Sequence, residues 1–101
     1  MARAVCIRDS VFFWCPGCDS IHGVSKERWC VTGPPNHFTV SPSLLYDPSP
    51  PTARKRCHSV IREGRIQYLQ DSNHALAGRE VEIPDLATTL WADVVGDPWR
   101  L

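Results

Sequence analysis

Two cysteines separated by two residues, Cys15 and Cys18, form the first group that could carry out chemistry. Thiolates at this spacing can bind one metal ion if the backbone between them turns sharply. Pro16 presets one dihedral of such a turn, and Gly17 tolerates a left-handed one. The Cys-Pro-Gly-Cys turn therefore predicts half of a tetrahedral zinc site, whose other ligands must come from elsewhere in the chain.

Two other interpretations of this spacing are a thioredoxin-like redox site and a plain turn with two buried free thiols. A redox site requires a helix that continues from the second cysteine within a βαβ unit. Residues 19–23 are a poor helix start, and no βαβ order follows them. The sequence therefore favours a metal site over both alternatives.

The remaining ligands of the zinc site are predicted from distant cysteines and histidines. Cys57 is the predicted third thiolate, and sulfur together with imidazole suits zinc. His74 is the predicted fourth ligand because the chain returns it beside Cys57, with His58 and His22 as the alternatives. Asp71 could accept a hydrogen bond from the second N–H of a ligating imidazole, or could simply end a strand.

Composition indicates one globular domain over residues 1–101, with a modest core. The 43% hydrophobic and 22% charged residues exclude a disordered chain. Lysine plus arginine equals aspartate plus glutamate at 11 each, which argues against a general nucleic-acid binder. A small core of this kind benefits from a bound metal ion.

The five cysteines are an odd number, and the chain has neither a signal-peptide-like start nor an apolar run that approaches a membrane span. We therefore expect a protein made in a reducing cytosol, in which cysteines act as thiolate ligands rather than as a disulfide framework. Cys30 has no partner at ligand spacing and is predicted to be a small buried hydrophobe.

Short strands dominate the predicted secondary structure. Residues 3–7 and 11–14 should form a hairpin that carries the Cys-Pro-Gly-Cys turn at its far end. Further extended segments are expected over residues 24–31 and 38–46, and a short strand over residues 81–83.

The clearest predicted hairpin turns at residues 63–64, which are Glu-Gly between two segments rich in β-forming residues. In the register that a two-residue turn sets, Ile61 faces Ile66. Because side chains alternate along a strand, Cys57 and His58 should point to opposite faces of the sheet. Both can bind one ion only if the strand bulges between them.

The C-terminal part of the chain is predicted to hold a brief helix from Leu86 to Val94, capped by Asp85. The Pro-rich segment 47–53 is expected to be an exposed loop within the domain, and residues 96–101 a loose tail. The predicted fold is thus mainly β, a small α+β domain of zinc-linked hairpins similar to zinc ribbons, with a short C-terminal helix.

Four segments occur in order along the chain: Phe13-x-Cys-Pro-Gly-Cys-x-x-x-His22, Phe38-Thr-Val-Ser-Pro-Ser43, Cys57-His-Ser59 and Gly64-x-Ile-x-Tyr-Leu69-x-Asp-Ser-x-His74-Ala-Leu-Ala-Gly78. As a set they resemble a family of small phage and prophage proteins of unknown function, some of which are labelled ammonia monooxygenase. That label receives no weight, because nothing in the sequence supplies a membrane scaffold or a copper site of several histidines. The resemblance implies a phage origin and a metal-binding turn, and it implies no reaction.

The sequence favours a non-enzymatic protein-interaction module with a structural zinc ion. Together with the resemblance, this predicts binding to a host or phage protein in the cytoplasm of the host cell, without membrane association. One alternative is a zinc-dependent hydrolase with water activated beside His22, His58 or Asp71. Another is nucleic-acid binding through the basic residues of the central hairpin region, which are Arg54, Lys55, Arg56, Arg62 and Arg65.

Overall fold

The computed structural model describes residues 2–46, 56–72 and 74–92. Within these residues the chain forms eight β-strands in two antiparallel sheets and one turn of 3-10 helix, which confirms the mainly β prediction. The elements are β1 (Ala4–Ile7), β2 (Ser10–Cys15), β3 (Ser20–Ser25), β4 (Cys30–Thr32), β5 (Thr39–Tyr46), β6 (Cys57–Arg62), β7 (Arg65–Tyr68), β8 (Glu80–Glu82) and the 3-10 turn Leu86–Thr88.

The first sheet contains β1, β2 and β3 in that order, and the β1–β2 pair confirms the predicted first hairpin. The turn of that hairpin includes Arg8 in a left-handed conformation with φ of 58°. Inward-facing side chains alternate along β2 as Val11, Phe13 and Cys15, and each of them is buried. β2 therefore ends with a cysteine on the core face, where the Cys-Pro-Gly-Cys turn begins.

The second sheet has the order β4-β5-β6-β7-β8, so that neighbours in the sheet are also neighbours in the sequence. β6 and β7 form the hairpin predicted at residues 63–64, where Glu63 and Gly64 have φ of 52° and 77°. Both residues are left-handed, as a two-residue turn that matches the strand twist requires. Ile61 faces Ile66, which confirms the predicted register.

The extended segment predicted over residues 24–31 is wrong as one strand. β3 ends at Ser25, whose carbonyl oxygen accepts hydrogen bonds from the backbone N–H of Arg28 and Trp29. This polar turn carries the chain from the first sheet to the second, where β4 begins at Cys30. Because β4 is an edge strand, Cys30 is exposed, and the prediction that it is a buried hydrophobe is also wrong.

The predicted C-terminal helix is shorter in the structure than in the prediction. Asp85 caps it as expected, since Asp85 Oδ1 accepts a hydrogen bond from Ala87 N at 3.0 Å. Helical backbone ends after one 3-10 turn, because Thr89 is extended and its hydroxyl donates to Leu86 O. Residues 93–94, the Pro-rich segment 47–53 and the tail 96–101 lie outside the described residues.

The two sheets share one hydrophobic core. Phe13 of β2 packs against Phe38, which precedes β5, with ring centroids 5.9 Å apart. Arg3 adds a polar link, because its Nε donates to Asn36 O at 3.0 Å and its guanidinium also bonds to Ile83 O. Within the described residues, no helix has the length and apolar content needed to cross a membrane.

Truncation of Phe13 tests the shared core. Phe13→Ala should lower the free energy of unfolding by about 3–5 kcal/mol, because it removes a fully buried ring that joins the two sheets. Leu90→Ala is the control, since Leu90 is 89% exposed, and it should cost less than about 0.5 kcal/mol. Urea denaturation measures both values, and equal losses would contradict the position of Phe13 in the core.

Candidate functional site

A cluster of three cysteines and one histidine lies where the two sheets meet. The ligand atoms of Cys15, Cys18, His22 and Cys57 all lie within 4.8 Å of one another. Three of these residues are buried, and Cys18 is intermediate in exposure. The cluster could hold one metal ion, and it contains all three cysteines that the sequence predicted as ligands.

Strand pairing brings the members of this cluster together. The register of β2 with β3 places His22 opposite Phe13, with the two rings edge to face at 5.8 Å. His22 therefore shares the buried face of the first sheet, at 8% exposure. Cys57 is the first residue of β6 and points into the core from the second sheet. Its sulfur lies 3.8 Å from that of Cys15.

Tyr68 connects the Cys-Pro-Gly-Cys turn to the β6–β7 hairpin. Its hydroxyl accepts a hydrogen bond from Gly17 N at 2.9 Å and lies 3.0 Å from Cys15 Sγ. Burial, and then the charge of Cys15, raise the pKa of Tyr68, so this hydroxyl keeps its proton. It is therefore placed to donate a hydrogen bond to the Cys15 sulfur.

Hydrogen bonds among the thiols shift the pKa values of Cys15 and Cys57 in opposite directions. Hydrogen bonds from Cys18 and from Cys57 lower the pKa of Cys15 and favour its thiolate. The pKa of Cys57 is raised, because its thiol bonds to Cys15 and Cys18 and because a second negative charge beside them is unfavourable. The cluster thus stabilises one thiolate strongly, and ionising the other sulfurs calls for a cation, which a bound metal ion would supply.

His74, the predicted fourth ligand, is not a member of this group of four, whereas the alternative His22 is. The His74 ring packs edge-on against Tyr68 with centroids 4.4 Å apart, and its Nδ1 accepts a hydrogen bond from Leu76 N at 3.2 Å. A Cβ added to Gly17 would lie 2.4 Å from His74 Cε1. Gly17 is thus needed because a side chain there would collide with this ring. The residue of the turn with a left-handed backbone is Asp19, with φ of 52°, and not Gly17.

A second polar group lies on the solvent-facing side of the second sheet and consists of Ser43, His58 and Asp71. His58 Nδ1 lies 3.1 Å and 3.0 Å from the two carboxylate oxygens of Asp71. His58 Nε2 lies 3.4 Å from Ser43 Oγ. A hydroxyl, an imidazole and a carboxylate linked in this order can activate the hydroxyl as a nucleophile.

Side-chain alternation along β5 directs Ser43 toward this group. The pairing of β5 with β6 shifts register between Val40 and Leu44. Both of these residues are buried, whereas Ser43 is exposed. Leu45 lies opposite His58, so Ser43, two residues before Leu45, shares the face of His58. The register shift adds two residues to β5 relative to β6, an even number, and so leaves this alternation of faces unchanged.

The carboxylate of Asp71 determines which nitrogen of His58 carries the proton. The hydrogen bond with His58 lowers the pKa of Asp71, and the charge of Arg56, 3.4 Å away, acts in the same direction. An ionised carboxylate can only accept hydrogen bonds, so His58 Nδ1 is the donor. In the neutral imidazole, the lone pair of Nε2 then faces Ser43.

From the sequence, His58 and Asp71 are predicted as parts of a zinc site, with the end of a strand as the other role for Asp71, and no chemistry is predicted for Ser43. All three residues lie in segments that carry the resemblance described above. The three residues are too far apart in the sequence to form a recognisable short motif, because strand pairing and a turn bring them together. The one local signal was the alternation of β6, which predicted that His58 points away from Cys57, and the structure confirms this.

Acidic partners neutralise part of the basic surface considered for nucleic-acid binding. Arg65 Nε lies 2.7 Å from Glu80, and this hydrogen bond raises the pKa of Arg65. Arg56 pairs with Asp71 as described above. Arg54 and Lys55 lie outside the described residues. Nucleic-acid binding stays a prediction, which these ion pairs do not favour.

Comparison with known protein families gives a match over most of the chain. A family model described as "Bacterial ubiquitination-like system serine protease (BubE)" matches residues 2–69. The matched range runs from before β1 to just beyond β7 and includes the whole cysteine–histidine cluster together with Ser43 and His58. No curated protein and no solved structure shows a significant match.

Metal content tests the cysteine cluster. The protein purified without chelators should carry about one metal ion per chain, and Cys57→Ser should lose it and melt at a lower temperature, because metal binding contributes to folding free energy. Cys30→Ser is the matched control, since Cys30 is exposed and outside the cluster. Elemental analysis and thermal denaturation measure both effects. Similar losses in the two variants would contradict the assignment of Cys57.

Two histidine variants decide the fourth ligand. His22→Ala should weaken metal binding by more than about 100-fold, since loss of a ligand exceeds the usual cost of losing an outer hydrogen-bond partner. His74→Ala should weaken binding by less than about 10-fold, because it removes packing against the turn. Titration against a competing chelator gives both affinities. The opposite order would restore His74 as the ligand.

Proposed function

We propose that this chain, which belongs to the family of bacterial ubiquitination-like system serine proteases (BubE), is a serine protease that uses Ser43, His58 and Asp71. The observation that carries the proposal is the hydrogen-bonded order of Ser43 Oγ, the two ring nitrogens of His58 and the Asp71 carboxylate. The expected substrates are proteins of a ubiquitination-like system, in which the bond to be cleaved joins the carbonyl carbon of a ubiquitin-like protein to another group.

Each residue has a distinct role in this reaction. Ser43 Oγ attacks the carbonyl carbon while His58 Nε2 accepts its proton. Asp71 keeps the proton of His58 on Nδ1 and stabilises the imidazolium that forms. His58 then donates the proton to the leaving group, which departs and leaves an acyl group on Ser43. Water, deprotonated by the same nitrogen, releases the acyl group and restores the serine.

The distances fit an imidazole that is oriented by the carboxylate. The contact between His58 and Asp71, at 3.0 Å, is a full hydrogen bond, whereas Ser43 Oγ lies 3.4 Å from His58 Nε2. Nucleophile–base contacts are often long in free enzymes and shorten when substrate binds. The imidazole is therefore already oriented, and a small movement of the serine completes the proton path.

A structural zinc ion in the cysteine–histidine cluster is the second part of the proposal. Three sulfurs and one imidazole within 4.8 Å of one another match the donors and the number that tetrahedral zinc prefers. Bound there, the ion would cross-link β2 and β3 to β6 through Cys57. It would take no part in proteolysis, because Cys57 and His58 lie on opposite faces of β6.

The expectations drawn from the sequence resemblance are separate from this proposal. A phage origin, a host or phage protein as partner and a location in the host cytoplasm stay predictions. An exclusively binding role for the domain is the competing function, and it predicts that Ser43 reacts no faster than other exposed serines. The reactivity of that serine decides between the two.

A fluorophosphonate probe tests the nucleophile without knowledge of the natural substrate. The parent protein and Ser41→Ala should be labelled at Ser43, whereas Ser43→Ala should not be labelled. Ser41 is the matched control because it is an exposed serine of the same strand. Asp71→Asn should slow labelling by about 100-fold or more, because the amide favours the wrong imidazole tautomer. Mass spectrometry locates the label, and a parent protein that stays unlabelled would refute the protease proposal.

A further inference from the structure

We propose that Ser72 is a positioning residue for the pair of His58 and Asp71, a role that rests on the proposed protease function. The backbone N–H of His58 donates to Ser72 Oγ at 2.9 Å, and the same hydroxyl donates to His58 O at 3.0 Å. Ser72 is 6% exposed and directly follows Asp71 in the chain. One buried hydroxyl thus holds the backbone of the base beside the carboxylate that orients it.

The end of the β6–β7 ladder explains why a side chain is needed here. Ser59 pairs with Tyr68, so the next pair in register would be His58 with Leu69. Leu69 N does donate to His58 O, at 2.8 Å. Leu69 O accepts from Ser72 N at 3.0 Å, whereas His58 N donates to Ser72 Oγ and not to Leu69 O. Ser72 Oγ takes over that position in the ladder.

This departure from the ladder also places the carboxylate. The chain turns between Leu69 and Ser72 rather than continuing β7, and the turn brings Asp71 to 3.0 Å from His58 Nδ1. The hydroxyl of Ser72 joins this turn to His58, because it accepts from the backbone N–H of His58 and donates to the carbonyl oxygen of the same residue. Its removal leaves a backbone N–H without this acceptor and loosens the geometry on which proton transfer depends.

Three variants separate positioning from packing. Ser72→Ala removes the hydroxyl, and Ser72→Thr retains it. Ser59→Ala is the matched control, because Ser59 is also a buried serine, at 1% exposure, and points into the core from the same strand as His58. Thermal melts and metal analysis first define a temperature at which every variant is folded and loaded with metal.

The labelling of Ser43 by the fluorophosphonate is then measured over a range of probe concentrations, which gives kinact and KI separately. Ser72→Ala should lower kinact by about 10- to 100-fold and leave KI within about twofold, since misplacement of the base affects the reacting step. Ser72→Thr should recover most of the loss, and Ser59→Ala should match the parent. Equal losses in Ser72→Ala and Ser59→Ala, or none in Ser72→Ala, would overturn the proposal.

A double-mutant cycle shows whether Ser72 acts through Asp71. With Asp71→Asn already present, the added change Ser72→Ala should lower kinact by much less than it does in the parent. Additive losses would mean that Ser72 acts independently of the pair, and the positioning role would be rejected.

A spectroscopic measurement keeps this inference distinct from the protease proposal. If Ser43 of the parent is not labelled, the protease proposal fails, and the ¹⁵N spectrum of His58 still reports its tautomer. The parent should show the proton on Nδ1, and Ser72→Ala should show a mixture of tautomers. An unchanged His58 spectrum in Ser72→Ala would reject the role of Ser72, whether or not the protein is a protease.

Discussion

The alternation of side chains along β6 is the constraint on which both polar sites depend. Cys57 is 0% exposed and faces the core, whereas His58, the next residue, faces the solvent side of the sheet. An extended backbone directs neighbouring side chains to opposite faces. Two consecutive residues therefore serve two sites, one of sulfur and imidazole inside the domain and one of hydroxyl, imidazole and carboxylate outside it. The sites share a strand and no side chain.

β7 holds this arrangement in place from the other side of the hairpin. Because Tyr68 pairs with Ser59, its ring enters the core beside Cys57 and its hydroxyl reaches Gly17 and Cys15. One residue later the chain leaves the ladder and forms the turn that carries Asp71. The paired residues of the hairpin thus support the cysteine cluster, and the turn that follows β7 supports the group of Ser43, His58 and Asp71.

The separation of the two sites has an electrostatic advantage. A thiolate stabilised by neighbouring thiols lies in the core, where burial opposes additional negative charge. The carboxylate of Asp71 lies at the surface, balanced by Arg56 and by the hydrogen bond with His58. A domain with a modest core would gain stability from a metal ion bound in the buried cluster, whereas the second polar group lies at the surface.

Local patterns in the sequence were sufficient for the mainly β class, for the turn at residues 63–64 and for the opposite orientations of Cys57 and His58. These features depend on side-chain periodicity and on turn residues only a few positions apart. The spacing of the Cys-Pro-Gly-Cys turn likewise predicted a soft metal site, and the three predicted cysteines do come together.

Tertiary structure decided which histidine joins the cysteines and which residues form the second site. His22 enters the cluster through the register of β2 with β3, while His74 packs on the turn beside Gly17. Ser43 lies 15 residues from His58, and Asp71 lies 13 residues from it. The first contact depends on the pairing of β5 with β6, and the second on the early end of β7. Both depend on how segments distant in the sequence pair and pack against one another, which no local pattern of residues encodes.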